Sequence, residues 1–180
     1  MLSGRVEIDD AYLGGELPGG KAGRGSENKV PFIAAVQTNK QGHPLYAVFS
    51  TVKSFCKEEV EAWARSFLAP STLVVSDGLW CFQAVEAASC FHQREVVGKE
   101  RKTTSMECFK WINTVLGNLK NAITGTYHAF DFEKYAHRYL GEFQYRFNRC
   151  FDLANMFKRL LIAAVRTSRR SEAFLRLAED

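Results

Sequence analysis

Two aspartates stand side by side after a short alternating run in Arg5–Gly15, R-V-E-I-D-D-A-Y-L-G-G. Val6 and Ile8 alternate with Glu7 and Asp9, the period-two pattern of a strand with one apolar face. The reading expects a short strand that Asp9 closes, with Gly14 and Gly15 releasing the chain into a loop. Carboxylates at the end of a buried strand are costly unless something positive meets them. A hard divalent cation suits oxygen ligands on a rigid strand. A solvated turn satisfies the same residues, so this stretch alone leaves both readings open.

The chain has 180 residues, enough to bury a core as one domain. Its 46% hydrophobic and 24% charged residues fit an ordinary globular protein. The sequence contains no apolar run long enough for a bilayer, and Met1 is not followed by a signal-peptide pattern. The expectation is a cytoplasmic protein without membrane contact. The net charge of +4 is uneven, with basic clusters over 21–29, 99–110 and 158–176, which suits a polyanionic partner. Five cysteines with no Cys-x-x-Cys spacing indicate neither a disulfide framework nor a zinc ribbon. Cys90 and His92 read as a buried thiol beside an incidental histidine.

Residues 14–29 form a basic, glycine-rich loop in which Lys21, Arg24 and Lys29 can reach phosphates. It is not a phosphate-binding P-loop, because the G-x-x-x-x-G-K-[ST] spacing is missing. Apolar runs at 32–37 and 45–51, joined by T-N-K-Q-G-H-P, predict a hairpin. A helix is expected over 56–68, with Val60, Trp63, Ala64 and Phe67 on one face and Pro70 beyond its end. Thr72–Ser76 is a buried strand leading into Asp77-Gly78, and 79–88 looks helical. A further strand is expected at Glu95–Val97. A long helix is expected over 105–123, stopped by Gly125, and two more over 131–148 and 153–167. The aromatic stripe of Tyr135, Tyr139, Phe143, Tyr145 and Phe147 reads as core packing.

Three strands, helix, strand, helix, strand, helix describe a mixed sheet flanked by helices. If the strands ending in Asp9 and Asp77 are neighbours, two carboxylates meet and need a cation or a shared proton. The long helix offers Glu107 or Asn113 as a third ligand. Lys120 shares a helix face with Asn113, and a lysine there can hold a phosphate as a point charge.

The segments V-E-I-D-D-A-Y-L-G-G, A-G-R-G-S, V-V-S-D-G, N-T-V-L-G-N-L-K, G-T-Y-H and Y-L-G-E-F-Q-Y-R-F-N-R resemble the catalytic domain of ISXO-like insertion-sequence transposases. The likeness runs from about Val6 to Val165. It implies an α/β, ribonuclease-H-like fold: a mixed five-stranded sheet flanked by helices, in one catalytic domain over 1–180 with a C-terminal helical extension over 131–180. It implies Asp9 and Asp77 as catalytic aspartates, and Asn113 with Lys120 seven residues on in place of the more usual glutamate. Glu107 is then the alternative ligand, and Asp10 a supporting or loop-capping group. The implied cofactor is magnesium or manganese, as two ions held by Asp9, Asp77 and Asn113. The implied chemistry is cleavage and strand transfer of DNA, with Lys21, Arg24, Lys29, Lys110 and Lys120 on the backbone. The implied assembly is a homodimer or larger on DNA. Relatives carry a DNA-binding segment ahead of the first strand, whereas Asp9 here follows closely on Met1, so a shortened chain is expected. The competing expectations are an inactive DNA-binding remnant and a ribonuclease-H-like nuclease.

Overall fold

The computed structural model describes residues 1–15, 28–95, 107–127 and 131–177. Its sheet has five strands: β1 (Arg5–Leu13), β2 (Val30–Thr38), β3 (Pro44–Thr51), β4 (Leu73–Ser76) and β5 (Phe91–Arg94), in the order β3-β2-β1-β4-β5. β1, β2 and β3 form an antiparallel meander, and β4 and β5 add parallel strands beside β1. The helices are α1 (Lys57–Phe67), α2 (Lys110–Ala122), α3 (Phe132–Phe147), α4 (Met156–Arg166) and α5 (Glu172–Leu177). The architecture is the mixed, helix-flanked five-stranded sheet that the sequence pattern predicts.

Alternation along the strands supplies two cores. On one face Val6, Ile8, Ile33, Ala35 and Val74 pack with Val60, Trp63 and Ala64 of α1 and with the 3-10 segment Trp80–Ala88. On the other, Ala11, Leu13, Phe32, Ala34, Val36 and Val75 pack with Ile112, Val115, Leu116 and Leu119 of α2 and Ala136 and Leu140 of α3. Covering both faces is why β2 reads as a nearly continuous apolar run. The turn between β2 and β3 is set by Asn39, whose side-chain oxygen accepts from the Gln41 and His43 amides at 3.0 and 2.8 Å.

The free edge of β3 is satisfied by α3. Gln144 Oε1 accepts from the Phe49 amide at 2.9 Å. Asn148, just past the helix, accepts from the Ala47 amide at 2.7 Å and donates to its carbonyl at 2.9 Å. Side chains four residues apart on a helix lie on one face, so the pair covers ladder groups that otherwise invite another strand. Of the aromatic stripe, Tyr139, Phe143 and Phe147 pack on the core, while Tyr145 is exposed. α4 and α5 contribute no buried side chain.

Several boundaries differ from expectation. β1 does not stop at Asp9. Ala11 and Leu13 continue its buried alternation, and β2 pairs with it through Leu13. β5 is Phe91–Arg94, a mostly exposed edge strand fixed by pairing with β4, not by apolar alternation; of the strand expected at Glu95–Val97, Val96 and Val97 lie outside the described residues. The segment after Asp77 is a 3-10 helix. The long helix begins with a 3-10 turn at Glu107–Phe109, and Gly125 does not end it, because the chain continues through a π-turn over Ile123–Tyr127. Among the described residues, no helix is long and apolar enough to cross a membrane.

Candidate metal centre

The register of β1 and β4 brings the acids together. Arg5, Val6 and Glu7 pair with Leu73, Val74 and Val75. Two steps further in the same register place Asp9 beside Asp77, where β4 has ended and β1 continues against β2 alone. The parallel partner runs out at this point, which opens the sheet edge for polar side chains. Carboxylate oxygens of Asp9, Asp10 and Asp77 all lie within 4.8 Å of one another. Asp10, expected only as a supporting group, brings a third carboxylate to the cluster.

Crowding of like charge shows in the proton affinity of Asp9, pushed up from 3.8 to about 7. Burial is the largest cause, followed by the negative charges of Asp77 and Asp10. The Asp10 amide, donating to Asp9 Oδ1 at 2.9 Å, and the positive charge of Lys120 oppose the rise. Asp77 Oδ1 accepts from the Leu79 amide at 3.3 Å, which ties the carboxylate to the turn after β4. Gly78 takes a φ of +98° there, a conformation that favours glycine.

Asp9 also lines a cavity of about 620 Å³ between the β1 end and α2, together with Asp10, Lys29, Asn113 and Lys120. Asn113 lies in the first turn of α2 rather than the third turn of a longer helix. Its side-chain nitrogen donates to the Phe109 carbonyl at 2.9 Å, so its carbonyl oxygen is the end that could ligate. Glu107 is exposed in the 3-10 turn before α2 and does not line the cavity. Lys110, at the start of α2, is exposed and lies over the Trp111 ring, 5.4 Å from its centroid. Lys21 and Arg24 fall outside the described residues.

What orients α2 escaped the sequence reading. Glu7, apparently a solvent-facing strand residue, is 1% exposed. Its Oε2 accepts from the amides of Trp111 and Ile112 at 3.0 and 2.9 Å, so a strand carboxylate caps the helix N-terminus. Its Oε1 accepts from Arg5 Nη1 at 2.8 Å, and Arg5 Nη2 donates to the Cys108 carbonyl at 2.9 Å. This network fixes the start of α2 two strand positions from Asp9. The available signal was an acid between two fully buried apolar residues, Val6 and Ile8, legible only once both sheet faces are known to be covered.

The donor set suits a hard divalent ion: three carboxylates in mutual reach, an amide carbonyl on the neighbouring helix, and a local charge that already disfavours full ionisation. None of the five cysteines is in a disulfide. His92 is used elsewhere, its Nε2 sharing a 2.8 Å hydrogen bond with Ser76 Oγ across β4 and β5. A search of curated proteins returned no match. The model of the ISXO2-like transposase domain matches residues 1–148, a span that contains all three acids, Asn113 and Lys120. The chain belongs to the ISXO2-like transposase domain family.

Proposed function

We propose that this transposase-family chain cleaves DNA and transfers the cut strand through a divalent-metal centre built on Asp9, Asp77 and Asn113. The supporting observation is the convergence of the Asp9, Asp10 and Asp77 carboxylates beside Asn113 and Lys120, inside the span that matches the family. Magnesium or manganese bound there would activate the attacking oxygen and stabilise the leaving oxygen of an in-line displacement at phosphorus.

The chain's own residues supply the rest. Asp9, whose proton affinity is raised by both other acids and which lines the cavity, is the shared ligand. Asp77 ligates from the turn after β4, and Asn113 from α2. An amide in the third position brings less charge than a carboxylate, and Asp10 offsets that deficit from within the cluster. Lys120, close enough to lower the proton affinity of Asp9, offers a point charge to a DNA phosphate in the cavity. Lys29 offers another from the start of β2. Phosphate contacts of this kind hold the strand in register and carry no sequence information.

The test is nicking of a DNA duplex in magnesium or manganese by the wild type, Asp9→Ala and Asp77→Ala, with circular dichroism as the folding control. Both variants should lose activity and keep the wild-type spectrum. Nicking at the wild-type rate by either folded variant refutes the assignment.

A further inference from the structure

Arg94 ends β5, opposite Ser76 and one position short of Asp77 in the sheet register. Its stem lies across Gly78. A Cβ built on Gly78 would stand 2.6 Å from Arg94 Nε and 3.3 Å from Cγ. Glycine is favoured by the left-handed turn that follows Asp77, and its missing side chain leaves the space the arginine stem occupies. The stem is seated, yet the side chain is exposed. Among the described residues the Arg94 guanidinium has no hydrogen bond or ion pair, although Asp77 adjoins the glycine it crosses. Glu95, its neighbour in sequence, accepts instead from Gln93 Nε2 at 2.6 Å.

An arginine whose stem crosses Gly78, and whose head has no hydrogen bond or ion pair among the described residues, is arranged beside Asp77 for an anion that arrives with the substrate. The planar guanidinium matches two oxygens of a phosphate diester. Its place is also complementary to the other cations. Lys29 and Lys120 line the cavity on the β2 and α2 side of the acids, and Arg94 stands on the β5 side.

We infer that Arg94 binds a backbone phosphate of the DNA strand engaged at Asp9 and Asp77, on the β5 side of the cluster. The inference rests on the DNA-cleaving reading above and adds the second flank of its substrate path. It requires no change in the metal site itself, so its removal should weaken DNA without weakening metal.

The experiment compares wild type, Arg94→Ala and Arg94→Lys by fluorescence anisotropy with a labelled DNA duplex over a salt series, without divalent metal. Manganese affinity is measured separately by calorimetry. Arg94→Ala should weaken the duplex roughly five- to tenfold and reduce the slope of log affinity against log salt by about one. Arg94→Lys should keep the wild-type slope, and manganese affinity should be unchanged in both. A wild-type slope in Arg94→Ala overturns the inference. So does an altered manganese affinity, which would mean that Arg94 acts by shaping the acid cluster. A wild type that binds the duplex but never nicks it refutes only the cleavage reading, and the slope still decides on Arg94. A wild type that binds no duplex overturns both.

Discussion

Replacing Glu7 tests how the proposed metal ligands of two distant segments are brought to one place. The carboxylate is 1% exposed and accepts three hydrogen bonds, two from the first amides of α2 and one from Arg5. Glu7→Ala strands both amides and removes the carboxylate that neutralises Arg5, leaving that guanidinium its Cys108 and Thr38 oxygens. Loss of an N-cap costs about 1–2 kcal/mol, and breaking a buried ion pair about 3–5 kcal/mol. The two overlap in one side chain and Arg5 is partly exposed, so about 3–5 kcal/mol in total is expected. Glu7→Gln keeps the volume and one acceptor and should lose about 1.5–3 kcal/mol, the scale of hydrogen bonds to a charged group. Urea unfolding followed by circular dichroism measures both, with the slope against denaturant checking that the transition remains two-state. Because Asn113 lies in the turn that Glu7 caps, folded Glu7→Gln should also bind manganese more weakly than wild type. A Glu7→Gln protein within about 0.5 kcal/mol of wild type, the range of an ordinary surface change, refutes the claim that this carboxylate anchors α2.

Asp9 makes the chain pH-sensitive in two opposed ways. A carboxyl raised to about 7 in the folded state stabilises the metal-free fold fully below its unfolded value near 4, and that contribution disappears as pH rises through 7. Thermal melts of metal-free protein should therefore show stability falling across this window, and Asp9→Asn should remove that component. Manganese needs the deprotonated acid, so calorimetric affinity should fall by about tenfold per pH unit below 7 and level off above it; a flat profile contradicts the shift. Asn113→Ala should abolish metal-dependent nicking while Glu107→Ala retains most of it, and the reverse result makes Glu107 the third ligand.

Much of this molecule is legible in residue order, and the failures have physical causes. α1 was readable to within a residue because Val60, Trp63 and Ala64 bury one stripe and Pro70 follows its end. The β2–β3 hairpin was readable from two apolar runs around Asn39 and Gly42. The meeting of Asp9 and Asp77 was readable as a condition, since each acid follows an apolar strand run, and it is met because β1 and β4 are parallel neighbours. The length of β1 was not readable, since two adjacent aspartates look like a turn until β2 is seen pairing past them. β5 at Phe91–Arg94 was not read as a strand because an exposed edge strand carries no apolar alternation. Gly125 failed as a stop because the chain widens into a π-turn there instead of breaking. Glu7 was misread because the alternation V-E-I-D says only that two faces differ, not that both are covered. Arg94 was passed over because the feature that seats it is the missing side chain of Gly78, a contact between residues 16 positions apart.

Anomalous diffraction from manganese-soaked crystals decides whether Asp9, Asp77 and Asn113 hold a divalent ion. Manganese should be ligated by the Asp9 and Asp77 carboxylates, with the Asn113 carbonyl oxygen in the same shell. Manganese found only elsewhere on the surface, or a cluster of acids that stays without the ion at saturating metal, contradicts that assignment.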